Sequence, residues 1–282
     1  MFRPPRCPYR PCPAHTDPDR ARFRRYGYYF PKCRAHPVPR FRCSECERTF
    51  SRQTFRADYR DHKPHLNAPL LINLISGVGL RQSSRTLNLT MRCTELKARK
   101  IARHLRRLNL NLRGVFNGDL ELQMDELETY ESRRRERPVT FPVAIDAKSR
   151  FIIWGESAKL SPRGRMNPAR RRAVAADEAR FGKRRDRSRV AVRRTLQRIR
   201  PMIEGLDRVL IQTDKKSSYP GLIRQALGEG RTMHHQTSSR APRTISNPLF
   251  PINQTEAMAR DNLGRLRRES WLISKKRRYL DL

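Results

Sequence analysis

Apolar and polar positions follow three different rhythms along the 282-residue chain. Between residues 67 and 112 the apolar positions recur at helical spacing. Leu71, Leu74 and Ile75 share a face that Gly77 brings to a stop. LRQSSRTL continues as a second short helix, and Asn88-Leu89-Thr90 turns into a longer one through CTELKARKIARHLRRL, with Thr90 as its N-cap. Ile101, Leu105 and Leu108 mark the apolar face of that helix, and Cys93 falls on an apolar face as a core residue. From residue 118 the rhythm changes. LELQMD, VTFPVAID and FIIWGES read as strands, the last two joined by a DAKSR hairpin. SRVAVRRTLQRIRPMI is an amphipathic helix, VLIQTD a fourth strand, YPGLIRQALG a helix, RTMHHQT a fifth strand and TEAMARDNLGRLRRES a closing helix. Residues 1–66 keep neither rhythm. Nine of the 20 prolines precede residue 40, so this stretch buries little apolar surface and needs a staple to fold.

Charge narrows the partners. The chain carries 63 Lys and Arg against 27 Asp and Glu, a formal charge of +36. Such a balance suits a polyanion, with phosphate contacts as the source of affinity. An anionic membrane is the rival partner, but no helix pairs a wide apolar face with basic flanks. No apolar run approaches the ~20 residues of a spanning helix, and no apolar signal segment opens the chain. The expectation is a soluble cytoplasmic protein associated with the nucleoid, with double-stranded DNA as partner and no membrane.

Four of the six cysteines form two close pairs, Cys7-x4-Cys12 and Cys43-x2-Cys46. Four thiolates in two tight turns suit one tetrahedral zinc, which would be the staple. The spacing also leaves Cys33, His15 and His36 as rival ligands. A basic tail with incidental cysteines is the bland alternative. Downstream, helix, short helix, turn and long basic helix is the layout of a helix-turn-helix, in which Arg92, Lys97, Arg99, Lys100 and Arg103 face DNA. An ordinary helical linker with a solvated charged face would carry the same residues.

Three acids complete the chemistry: Asp125 at the end of the first strand, Asp214 at the end of the fourth and Glu256 in the closing helix. Carboxylates brought together in so basic a chain can hold Mg²⁺ or Mn²⁺ against a phosphodiester. Asp125 and Asp214 become neighbours if their strands pair. Asp261 competes with Glu256 for the third place, and Asp146 and Glu156 also flank strands.

Three strands, helix, strand, helix, strand, helix is the element order of a ribonuclease-H-like domain. With the cysteine knuckle RFRCSECERTFS, QMDELETY, PVAIDAKSRFIIW, IQTDKKSSYP and INQTEAMARDNLGRLRRESWLISKK, the chain resembles bacterial insertion-sequence transposases of the DDE class. The resemblance implies an α/β fold: a ribonuclease-H-like mixed sheet flanked by helices, preceded by a small zinc ribbon and a helix-turn-helix domain. The expected boundaries are a zinc ribbon over 1–66, a helix-turn-helix over 67–112 and a catalytic domain over 118–282. Implied too are structural Zn²⁺ on Cys7, Cys12, Cys43 and Cys46, and catalytic Mg²⁺ or Mn²⁺ on Asp125, Asp214 and Glu256. The activity implied is metal-dependent cleavage at terminal inverted repeats followed by strand transfer, carried out by a homo-oligomer on DNA. Asn253 and Glu256 meet the N-x-x-E pattern of such proteins. Similar transposases carry a further C-terminal helical segment where this chain ends in SKKRRYLDL, so a shortened catalytic domain is expected. The competing function is a catalytically defective or domesticated relative that binds DNA without cutting it.

Overall fold

The computed structural model describes residues 2–32, 35–113, 120–133, 136–206, 208–228, 230, 232–242, 244–266, 277 and 280–281. Contacts group the chain into two compact units, Met1–Leu71 with Arg92–His104, and Ile72–Met91 with Leu105–Leu282. The 67–112 stretch, expected as a domain of its own, is thus divided between them.

The first unit opens with a short helix α1 (Pro13–Thr16) and a three-stranded antiparallel sheet of β1 (Phe23–Tyr29), β2 (Val38–Cys43) and β3 (Thr49–Ser51), in that order. Its core is small and aromatic. Phe41 and Phe50 are buried beside Cys7, Cys12 and Cys43, and the Phe23 ring stands edge-on to Phe50 at 5.3 Å. A core of this size is marginal without a cross-link or a metal.

Three helices follow: α2 (Asn67–Ile75), α3 (Leu80–Thr86) and α4 (Met91–Leu112). Gly77, at φ +79°, ends α2, with the Val78 amide returning to the Asn73 carbonyl at 2.9 Å. Asn88, at φ +47°, ends α3 the same way through Leu89 and Ser84. The beginning of α4 belongs to the first unit, where it supplies two internal cations. Lys97 is only 4% exposed, and its ammonium donates to the Lys63 carbonyl and to Asn67 Oδ1, both at 2.9 Å. Lys100 donates to the Tyr59 carbonyl and pairs with Asp61 at 3.0 Å. Cys93 is half-buried rather than a core residue, and Leu105 and Leu108, the expected apolar face, remain exposed.

The second unit holds β4 (Leu120–Tyr130), β5 (Pro138–Asp146), β6 (Ile152–Gly155), β7 (Ala158–Lys159), α5 (Pro168–Phe181), α6 (Ser188–Ile203), β8 (Val209–Asp214), α7 (Tyr219–Leu227), β9 (Thr232–Thr237) and α8 (Phe250–Asn262). Its mixed sheet runs β6-β5-β4-β8-β9, with β7 also on β5. The first three form an antiparallel meander, and β8 and β9 run parallel to β4. Period-two alternation gives the sheet two apolar faces. Leu120, Leu122, Met124, Val209 and Ile211 pack with Val192, Leu196 and Ile199 of α6 and with Leu222 and Ile223 of α7. Val143 and Ile145, from the opposite face, pack with Leu249 and Ile252 at the start of α8.

Three elements depart from the reading of the sequence, the first being β4, which runs five residues past LELQMD to Tyr130. No residue of α5 is buried, so it leaves no apolar period to detect. Its end signals were nevertheless present: the Asn167 side chain caps the Arg170 amide, Pro168 sits in the first turn and Gly182 follows at φ +79°. Helix α8 begins at Phe250, five residues before TEAMARDN, which moves Glu256 from the first turn to the middle of the helix. Among the described residues, no helix is long and apolar enough to cross a membrane.

Candidate functional site

The cysteines come together through local backbone turns. Each of three sulfurs accepts from the amide two residues on: Cys7 from Tyr9, Cys12 from Ala14 and Cys46 from Arg48. The Cys43–Arg48 turn closes through Cys43 N to the Arg48 carbonyl at 3.1 Å and holds Glu47 at φ +56°. Cys7 Sγ lies 3.6 Å from Cys46 Sγ, and Cys12 Sγ lies 3.8 Å from Cys43 Sγ. All four sulfurs lie within 4.8 Å of one another. Disulfides need sulfurs ~2 Å apart. Sulfurs ~2.3 Å from a central zinc at tetrahedral corners stand about 3.8 Å apart, and the cluster fits that figure. Burial pushes the Cys7 and Cys12 thiols up. Burial acts on Cys46 as well, but the Arg48 amide and the neighbouring thiols outweigh it and hold that thiol low. Amides aimed at sulfur favour thiolates, the form a metal binds. The rival ligands are elsewhere: His15 Nδ1 is engaged by the Cys7 carbonyl at 2.7 Å, and His36 is exposed. Cys33 lies outside the described residues.

The acids are brought together by sheet register. In the parallel β4–β8 pair Gln123 stands beside Gln212. Asp125 and Asp214 each lie two residues further on, so they leave the same face of adjacent strands, Asp214 at the end of β8 and Asp125 in the middle of β4, which runs on to Tyr130. Gln123 also seats the helix above that face. Its Nε2 donates to the Pro248 carbonyl at 2.6 Å and its Oε1 accepts from the Ile252 amide at 3.0 Å. Glu256 follows Ile252 by one helical turn, and both are buried, so Glu256 is on the sheet-facing side of α8. Asp261 is exposed, so geometry favours Glu256 over it. Glu256 also pairs with Arg260 at 3.5 Å.

Tyr219 links the set. Its ring is buried at the start of α7, and its hydroxyl is held well above the usual range. Burial is the largest cause, followed by the charges of Glu126, Asp125, Asp214 and Glu256. The charges of four carboxylates therefore act on one phenol. Glu126 is neutralised by Lys216 at 2.7 Å and accepts from Thr140 at 3.2 Å. Asp125 accepts from the Glu126 amide at 2.6 Å and Asp214 from the Lys216 amide at 3.2 Å. Sequence reading missed Gln123, Gln212, Glu126, Lys216 and Tyr219. For Gln123, Glu126 and Gln212 the signal available was polar side chains at strand positions otherwise filled by apolar ones; Lys216 and Tyr219, outside the strands, gave none. Asp146 instead caps its hairpin through Ser149, and Glu156 pairs with Arg194. Among the described residues, the four cysteines are the one group of such side chains with ligand atoms gathered closely enough for a single ion.

The residues expected to face DNA divide. Arg92 and Arg103 are exposed, and Arg99 is partly exposed and lies 3.7 Å from Glu95. Lys97 and Lys100 are corrected to internal ties, because their ammonium groups are held by Asp61, Asn67 and backbone carbonyls. No family model matches the chain, and no curated protein matches it.

Proposed function

We propose that the protein is a DDE-class transposase of the bacterial insertion-sequence type, with a ribonuclease-H-like catalytic domain, a zinc ribbon and a helix-turn-helix. The observation that carries the reading is the shared edge of Asp125 and Asp214 on adjacent parallel strands, with Glu256 on the helix seated over them by Gln123. The strand order third, second, first, fourth, fifth, antiparallel and then parallel, supports the fold assignment. The charge of +36 supports DNA as substrate.

In this reading Asp125, Asp214 and Glu256 offer hard oxygen donors suited to Mg²⁺ or Mn²⁺. Divalent cations bound there would supply a deprotonated nucleophile and stabilise charge on the attacking and leaving oxygens. The protein's own part is orientation. The register of β4 and β8 fixes the two aspartates, and Gln123 fixes the helix carrying the glutamate. Joining two DNA ends requires two protomers on the DNA. Arg92, Arg99 and Arg103 are retained as DNA contacts.

The test is strand cleavage of a labelled duplex bearing the element's inverted repeat. The expected result is nicking at the repeat end with Mg²⁺ or Mn²⁺ and none without an added divalent cation. Asp125→Asn and Asp214→Asn should lower cleavage on the order of a thousandfold or more, with binding changed less than about twofold. Cleavage surviving in both variants overturns the assignment. Specific binding without cleavage in the unaltered chain would support the DNA-binding relative instead.

A further inference from the structure

The outward face of the three-stranded sheet carries a second set of residues. Phe23, Phe41 and Phe50 line the inner face, so Arg24, Arg40 and Arg42, which alternate with them, point outward. Between Arg25, opposite Phe41, and Tyr28, opposite Pro39, β1 carries one residue more than β2. Gly27 takes φ +70° within this bulge, a conformation that favours glycine. The bulge leaves Tyr26 on the outside, 47% exposed, with the Arg40 and Arg42 guanidinium carbons 5.6 and 5.8 Å from its ring centroid. Tyr28, opposite Pro39 and so on the other side of the sheet from Arg40, and Phe30 are exposed as well, at 58% and 79%. Arg40 is steadied by donating to Thr49 Oγ1 at 2.8 Å, and Arg42 by Glu47 at 2.9 Å.

The guanidinium groups stabilise the ring they border, and an exposed aromatic set rimmed by polar groups marks an interaction surface. A ring on an open sheet face, bordered by cations, matches a base face joined to a phosphate. Duplex bases hide their faces in the stack, whereas unpaired bases offer them. We propose that this face, centred on Tyr26 with Arg24, Arg40 and Arg42, binds single-stranded DNA by stacking an unpaired base on the tyrosine and holding the flanking phosphates. The choice of DNA over RNA rests on the function proposed above, whose substrate is DNA.

The experiment uses the full zinc-loaded chain without added Mg²⁺ or Mn²⁺. Fluorescence anisotropy follows a labelled oligothymidylate of about 20 nucleotides, its duplex with oligoadenylate, and the matching oligouridylate. Tyr26→Ala is expected to weaken single-stranded DNA binding about tenfold and to change duplex binding less than about twofold, while Tyr26→Phe retains both. An unchanged single-strand affinity, or an equal loss on the duplex, overturns the proposal. A Tyr26-dependent loss confined to the RNA overturns the choice of DNA. Should Tyr26→Ala lose its zinc, photocrosslinking of the unaltered chain to bromouracil-substituted single strands decides: adducts on Tyr26 sustain the proposal and their absence overturns it. Stacking at Tyr26 in a chain that cuts nothing would count against the transposase reading and leave this face standing. Cleavage without stacking would do the reverse.

Discussion

The four cysteines and the three acids reach their places by different physical routes. Each cysteine pair spans at most six residues, and its geometry is fixed by amides two residues along the chain. A local turn of this kind forms with little loop-closure cost. The acids come from β4, β8 and α8, and nothing local brings them together. In the proposed site their convergence would depend on the parallel register of two strands joined across a long crossover, and on one glutamine seating a helix. A ligand set built from turns keeps its geometry if the turns survive. A set built from register is lost if one distant element slides.

Breaking a turn should therefore have the largest effect. Cys43→Ser removes a fully buried sulfur from the set of four. Metal analysis should fall from one zinc per chain to well below one, with unfolding of the β1–β3 sheet seen by proteolysis. Structural zinc sites contribute on the order of 10 kcal/mol to folding, more than the small aromatic core can replace. A fully folded, zinc-free first unit would contradict the cluster's role.

That asymmetry also explains what the sequence disclosed. Cys43-x2-Cys46 was legible as a knuckle because spacing alone defines it. Asp214 was legible as a strand end, since VLIQTD stops at its acid, whereas LELQMD continues through ELETY and leaves Asp125 in the middle of β4. What spacing could not disclose was the third dimension. Glu256 outranks Asp261 because α8 begins at Phe250, which sets the helical phase only after Gln123 has seated it. Lys97 and Lys100 read as free cations because Asp61, 36 and 39 residues earlier in the chain, gave no sign of being their partner. Helix α5 stayed hidden for the opposite reason: it buries nothing.

Loosening the seat of α8 should have a middle-sized effect. Gln123→Ala leaves the buried Ile252 amide and the Pro248 carbonyl without their partner. The expected cost is about 1–3 kcal/mol in chemical denaturation of the second unit. Cleavage should fall further than stability implies, because Glu256 moves with the helix. Zinc content should not change, and a loss of zinc would break the comparison.

The smallest effect concerns the ion cluster of the first unit. Burial raises the Asp61 carboxyl, but the hydrogen bonds from Asn67 and Lys100 and the charges of Lys97 and Lys100 outweigh it, holding the carboxyl below its ordinary value. A carboxylate whose folded value is depressed stabilises the fold above its unfolded pKa of about 3.9. That contribution is lost as pH falls through the depressed folded value. Asp61→Asn should flatten this acid limb in a pH series of thermal melts, while the limb set by other carboxylates remains. An unaltered acid limb would remove Asp61 from the account.

The central claim is that Asp125, Asp214 and Glu256 form one cation-binding edge. Iron(II) in place of Mg²⁺, with ascorbate and peroxide, cuts a polypeptide beside the bound ion, and mass spectrometry locates the cuts. The account predicts backbone cuts next to Asp125, Asp214 and Glu256 together, suppressed by excess Mg²⁺ and absent in Asp214→Asn. Cuts confined to other segments, or cuts at only one of the three acids, would contradict it.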